Sequence, residues 1–213
     1  QNPKTQYFNV DTTAELAFPC ENMGMSSAEI QNRVQSAAQE NGVEALMDRN
    51  IFMLSGGEKQ KIAFAAACML GPKLLVLDEP TSNLDDRAIR DLRELIVKKK
   101  KQGVTIVIAE HRLAWLSDVA DRFCFFENGT LQGQWSRKEF QSFSAEQLQE
   151  MGLRPLALDA YRKKTMEKIQ QKPPEGTPLV RAEQLSVGYG KKSPVYEIED
   201  FSIYKGEIVG LMG

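Results

Sequence analysis

Two apolar runs, "KLLVLDEP" (73–80) and "VTIVIAE" (104–110), constrain this chain more than anything else in it. Each is nearly uninterrupted and too short for a buried helix. Each therefore reads as a strand buried on both faces. Between them, residues 86–101 place Ile89, Leu92, Ile96 and Val97 on one helical face, and Gly103 ends the helix. Strand, helix and strand at this spacing predict a parallel α/β layer. Beyond it, "RLAWLSDVADR" (112–122) reads as another helix. "RFCFFENGTLQGQW" reads as a hairpin turning at Asn128-Gly129.

The residues upstream are helical. Asp11 or Thr12 is placed to cap a first helix, with Glu15 in its opening turns. Residues 26–42 form a clear second helix: Ser26 and Glu29 make a capping-box pattern, and Asn41-Gly42 stop it. A short helix near "VEALMD" follows, and residues 56–70 carry Ile62, Ala66 and Met69 on one side. After Gly152 the character changes. Residues 153–177 hold a short charged helix and a proline-rich stretch, and read as a linker. From Pro178 the chain is strand-like in "LVRAEQLSVGYG", "SPVYEIEDFSIY" and "EIVGLMG".

Bulk properties narrow the function. A formal net charge of -2 gives no basic footprint for nucleic acid. Cys20, Cys68 and Cys124 are far apart and in no metal-ligand spacing, which fits a reduced setting. No apolar run approaches the ~20 residues that a membrane-spanning helix needs. The absence of an initial Met and the apolar end, "EIVGLMG", make both ends read as cut.

Two short stretches carry chemistry. "LLVLDEP" brings Asp78 and Glu79 to the carboxyl end of a strand, where ligands bind in α/β sheets. One acid can hold Mg²⁺ through water and the next can deprotonate an attacking water; a solvated acidic turn is the plain alternative. "LSGGEKQ" (54–60) opens a helix with two glycines, although glycine costs about 1 kcal/mol relative to alanine there. Bare backbone lets N–H groups approach an anion at a helix start, and Ser55 adds a hydroxyl. A flexible N-cap loop explains the same letters.

In order and spacing, "LSGGEKQ", "LLVLDEP", "SNLD" (82–85) and His111 after the next strand resemble the ABC ATPase family. They correspond to its signature loop, Walker B strand, D-loop and H-loop. Gln1 in "QNPKTQYF" resembles the Q-loop glutamine that reaches the metal and the water. The resemblance implies a P-loop NTPase fold of the ABC ATPase type, incomplete here, with a helical subdomain over about 10–55. Residues 1–152 would be the later two thirds of one ATPase domain and 178–213 the β-strand start of a second. It also implies two ATPase domains paired head to tail, with ATP and Mg²⁺ between them. Asp78 and Gln1 would act on Mg²⁺, Glu79 would be the general base and His111 would contact the γ-phosphate. Ser55, Gly56, Gly57 and Glu58 would cap the partner domain's ATP, and Asp85 would couple the two sites. Glu58 stands where many members have glutamine. Tyr189 matches the aromatic that stacks on adenine, with a purely structural tyrosine as the alternative, and Gly213 matches the first glycine of a P-loop.

"FNVDTTAELAFPCENMG" and "AEHRLAWL" resemble energy-coupling factor transporter ATPases, which power uptake of vitamins or metal ions. The implied partners are transmembrane subunits contacted by about 10–50 and the Gln1 loop, at the cytoplasmic face of the membrane, with no nucleic acid. A soluble ABC ATPase acting on ribosomes or DNA is the alternative, and a bare interaction module is a third. "GYGKKS" (188–193) departs from a P-loop: Leu185 stands where its first glycine would, and Lys192 where Ser or Thr would. It reads as a turn between strands. With no complete P-loop, the chain alone is expected to bind ATP weakly and not to turn it over. Lys98–Lys101 read as a solvated helix end. Two arrangements stand for 178–213: a detached β-unit, or "EIVGLMG" pairing beside "LLVLDEP".

Overall fold

The computed structural model describes residues 7–156, 176–188, 194 and 196–210. Gln1, Tyr189, Gly213 and most of the 153–177 linker lie outside the described residues. The chain divides into two compact units, Gln1–Leu158 and Asp159–Gly213.

The first unit opens with helices α1 (Thr12–Asn22) and α2 (Ser27–Asn41), whose starts are set by side chains. The Asp11 carboxylate accepts the N–H groups of Thr13 and Ala14, and Ser26 and Glu29 close a reciprocal capping box. Gly42 ends α2 at φ 63°, in the left-handed region glycine enters without a Cβ clash. The segment near "VEALMD" is a single 3-10 turn, Glu44–Leu46.

Helix α3 (Gly56–Cys68) is the spine of this unit. Its Ile62, Ala65 and Met69 join Leu16, Val34 and Leu46 in one apolar cluster; its Phe64 joins Leu75, Leu92 and Ile96 in another. A helix that serves two cores is apolar on more than one side, and Ala66 is only half-buried.

Strand β1 (Leu74–Asp78) leads through α4 (Asp86–Lys101) to β2 (Thr105–Ala109). The strands are parallel, in register from Leu74 opposite Thr105 to Asp78 opposite Ala109. The expected βαβ unit is therefore present, but its strands are not buried on both faces. Leu75, Leu77, Ile106 and Ile108 turn toward the α3 and α4 side chains. Leu74, Val76 and Val107 alternate to the opposite face and are 53%, 69% and 52% exposed. Period-two alternation puts successive side chains on opposite faces, and the helices cover one of them.

Residues 112–122 are not a helix. A 3-10 turn covers Leu113–Leu116 without a side-chain cap, residues 117–121 are turn and irregular, and Arg122 already begins a strand. Its side chains are drawn to different neighbours: Val119 into the β1–α4 cluster, Leu116 into a third cluster, Asp118 to Arg93 and Asp121 to Lys100. Strands β3 (Arg122–Glu127) and β4 (Thr130–Ser136) form the expected hairpin. Asn128 and Gly129 sit at φ 50° and 75°, the pair of left-handed residues a tight hairpin turn requires. Short helices α5 (Arg137–Gln141) and α6 (Ala145–Glu150) follow, with Phe140 stacked on Phe123 at 4.0 Å.

The lysines ending α4 are not simply solvated. Lys99 is buried, with Nζ 3.0 Å from the Glu40 carboxylate, and Lys98 donates to the Glu40 carbonyl at 2.5 Å. Lys100 bonds Asp121 at 2.6 Å. These long side chains tie the end of α4 to the end of α2 and to the loop before β3.

In the second unit, β5 (Val180–Val187) pairs antiparallel with β6 (Tyr196–Ile203), Val187 opposite Tyr196. Most of the "GYGKKS" stretch (189–193) lies outside the described residues. Residues 207–210 of "EIVGLMG" take no strand, contrary to expectation, and β1 pairs only with β2 among the described residues. A strand requires a partner for its backbone groups, and these four residues have none in a ladder.

Candidate functional site

Asp78 and Glu79 stand at the carboxyl end of β1, and Glu110 and His111 at that of β2. In-register parallel strands end together, so the fold brings these four residues to one edge. The Glu79 N–H extends the ladder by one bond, donating to the Ala109 carbonyl at 2.8 Å. Its φ is then 41°, a left-handed conformation that is costly for a residue with a Cβ. The strain turns the chain sharply, and the Glu79 carboxylate lies 3.7 Å from His111 Nδ1. Asp78 and His111 are exposed, and Glu79 is half-buried.

Behind this edge lies a network that the sequence did not announce. The Glu110 side chain is 0% exposed. One of its carboxylate oxygens accepts the N–H groups of His111 at 2.9 Å and Arg112 at 3.0 Å. The other accepts the hydroxyl of Thr81, itself fully buried. Arg112 donates to the carbonyls of Thr81 at 3.1 Å and Leu84 at 3.4 Å. Asp85 ends this loop as the N-cap of α4, accepting the Ala88 N–H at 2.7 Å.

The 54–58 turn is a second element of the site. Ser55 caps α3: its Oγ accepts the Glu58 N–H at 3.3 Å, and the Glu58 carboxylate accepts the Ser55 N–H at 2.8 Å. That bond holds the Glu58 carboxyl below its usual range. Local capping thus engages both side chains, as the letters S-x-x-E allow. The two glycines answer to packing. A Cβ on Gly57 would come 2.8 Å from the Ala88 Cβ, and one on Gly56 would come 3.3 Å from the Asn83 carbonyl. Bare backbone here lets the start of α3 approach the 82–85 loop and the first turn of α4.

The flanks of this turn are anchored by residues that sequence reasoning passed over. Buried Lys59 donates to the Phe52 carbonyl at 3.2 Å, and the Tyr7 hydroxyl donates to the Lys59 carbonyl at 2.7 Å. Burial pushes the Tyr7 phenol pKa upward. Lys59 stands among Glu58, Gln60 and Lys61, so nothing in the letters set it apart, and no signal marked Thr81, Glu110 or Arg112.

Among the described residues no group of three or more His, Cys, Asp or Glu side chains could hold a metal. Oxygen donors from Asp78 and Glu79 fit a hard cation that keeps waters and takes further oxygens from phosphates, as Mg²⁺ does.

Comparisons with known proteins bear on the family and the fold. Residues 2–82 match the ABC transporter family. The chain is 39% identical over 214 aligned residues to a Treponema denticola protein provisionally named an ABC transporter ATP-binding protein, covering 100% of this chain and 44% of that one. A similarly named Pyrococcus furiosus protein is 39% identical over 132 residues, covering 62% of this chain and 51% of that one. The chain thus spans about half, or less, of the curated relatives it matches. Among solved structures, cbiO1 from Clostridium perfringens, part of the ABC transporter complex cbiONQ, superposes with a TM-score of 0.63 at 29% identity. That match covers 79% of this chain and 65% of cbiO1. Family match, relatives aligned along the chain and a shared α/β fold agree: this chain belongs to the ABC transporter family of ATP-binding proteins.

Proposed function

We propose that the protein hydrolyses ATP to drive a membrane importer of the energy-coupling factor kind, working as a peripheral subunit at the cytoplasmic face. The observation carrying this reading is the strained Glu79, whose carboxylate is directed to within 3.7 Å of His111 at the ends of two parallel strands. A carboxylate beside an imidazole at the exposed edge of a sheet is suited to take a proton from water. Glu79 acts as general base, and His111 orients the γ-phosphate and the attacking water. Asp78 would hold Mg²⁺, which when bound offsets the phosphate charge.

Ser55, Gly56 and Gly57 bring backbone N–H groups to the terminal phosphate of a nucleotide on a head-to-tail partner domain. Asp85, beside this turn as the cap of α4, relates the two sites. Gln1 at the metal, Tyr189 at adenine and Gly213 in a P-loop complete the assignment. Residues 1–152 belong to one ATPase domain, 153–177 to a linker and 178–213 to the opening of a second. The chain contains no G-x-x-x-x-G-K-[ST] run, so on its own it binds ATP weakly and does not turn it over.

Transmembrane subunits are the partners, as the complex containing cbiO1 suggests. No helix among the described residues is long and apolar enough to cross a membrane. Phe8, Val10, Phe52 and Met53 are exposed where residues 8–11 run beside 50–53, an apolar edge suited to such a subunit. Helices α1 and α2 have 11 and 15 residues, far short of the long coiled coils that repair-type relatives insert here. The deciding experiment measures Mg²⁺-dependent phosphate release by full-length protein and its Glu79→Gln variant. A variant that turns over like the parent rejects the reading.

A further inference from the structure

We propose that Glu110 is a positioning residue: its buried carboxylate locks the loop after β2 to the loop after β1 and so fixes His111 opposite Glu79. The proposal rests on the ATPase reading for its consequence but on geometry alone for its mechanism.

The carboxylate accepts from three donors, two in one loop and one in the other. The two amides belong to His111 and Arg112, the second and third residues past the β2 end. The hydroxyl belongs to Thr81, two residues past Glu79. A single buried group therefore sets the distance between the two loops, and bonds to a charged acceptor are stronger than neutral ones. Arg112 adds a second tie. Its N–H is held by Glu110, while its guanidinium donates to the Thr81 and Leu84 carbonyls. The 79–84 loop is thus gripped at Thr81 from both sides and again at Leu84, just before the Asp85 cap of α4.

Burial explains why a carboxylate is used. With 0% of its side chain exposed, Glu110 has little water to replace a lost partner. Removing it leaves two amides and a hydroxyl to find other acceptors, and the backbone at His111 loses its fixed point. The oxygen that accepts the two amides also lies 3.7 Å from His111 Nδ1, so Glu110 faces the imidazole as well as the backbone that carries it, and acts through His111.

The test uses a property of this chain: His111 is its only histidine. Its ring ¹H–¹⁵N signals therefore need no assignment. In Glu110→Ala the ring signals should move or broaden, and the His111 and Arg112 amides should exchange faster. Glu110→Gln removes the charge 3.7 Å from His111 Nδ1 and should shift the ring signals, yet it should keep the His111 and Arg112 amides as protected as in the parent. Its amide oxygen can accept both N–H groups, and the Thr81 hydroxyl can accept from its NH₂. Thr81→Val, which removes one donor and keeps the side-chain shape, should shift the ring signals in the same direction by less. It supplies the same reading should Glu110→Ala fail to fold.

In full-length protein Glu110→Ala should lower kcat on the order of a hundredfold, the loss expected for a catalytic group displaced by about an ångström, with KM within about twofold. Ring signals and amide exchange unchanged in Glu110→Ala, or in Thr81→Val where Glu110→Ala does not fold, overturn the positioning role. Amides that exchange faster in Glu110→Ala while kcat stays constant leave the positioning intact and remove His111 from the reaction.

Discussion

The 54–58 turn and the 78–85 loop both follow apolar residues, and both are short polar stretches that lead into a helix. They are built differently. In the turn, Ser55 and Glu58 satisfy each other within four residues, and the only distant demand is room for Gly56 and Gly57. In the loop, left-handed Glu79 is tied to β2 by the bond its N–H donates to the Ala109 carbonyl, and Thr81 is held by Glu110 and Arg112, some 30 residues away. A self-capped turn is stable through its own letters. A loop whose conformation is imposed from outside can carry strain, and strain gathers where chemistry is done.

Replacing Glu79 should separate stability from activity most sharply. Glu79→Gln in full-length protein should lower kcat by roughly 10²–10⁴, the contribution of a general base, with little change in melting temperature. Glu79→Gly should abolish turnover yet stabilise this chain by about 1 kcal/mol, because glycine adopts the observed φ without strain. Loss of stability in Glu79→Gly, read from urea unfolding, would mean the loop is not strained.

Gly57→Val is expected to cost ~1–3 kcal/mol, as overpacked sites do, since the added carbons meet Ala88. Ala88→Gly in the same chain should return part of that loss. Additive penalties in the double variant would break the claim that packing against α4 requires the glycine. Ser55→Ala should cost about 1 kcal/mol through the lost N-cap, and its effect should stay local to α3 in hydrogen exchange. A disturbance reaching 78–85 would erase the contrast between the two regions.

The smallest effect concerns acid. Bonds from Gln102 and then Lys99 hold the Glu40 carboxyl below its ordinary value of 4.5. A carboxyl whose folded pKa is depressed contributes stability that is present above its unfolded pKa. That contribution is lost as pH falls through the lower, folded value. Acid unfolding of Glu40→Gln should therefore be less steep than the parent's below about pH 4.5. Identical acid limbs would show that the α2–α4 tie carries no stability.

Much of the fold was legible because its determinants are local. Ser26 with Glu29, Asp11 before α1, Gly42 after α2 and Asn128-Gly129 in the hairpin each satisfy backbone groups within a few residues. The apolar runs at 74–78 and 105–109 announced parallel strands. The same runs misled about burial, since periodicity names the faces of a strand without naming what covers them. Residues 112–122 had helical letters, but their side chains are claimed by four different neighbours. Lys99 looked like a solvated charge because its partner, Glu40, lies in another helix.

By itself, then, the sequence determined most of the elements and their caps, though not 112–122 or 207–210, and offered the candidate site letters Ser55, Gly56, Gly57, Asp78, Glu79, Asp85 and His111. These depend on interactions spanning a few residues and on short ordered motifs. Tertiary structure alone decided that Glu79 is strained toward His111, that Glu110 and Arg112 clamp Thr81, and that Gly57 faces Ala88. Each of these joins residues about 30 apart through a bond or a contact that exists only after the strands are registered and the helices laid against them. No window of sequence contains both partners together with the geometry that makes them meet.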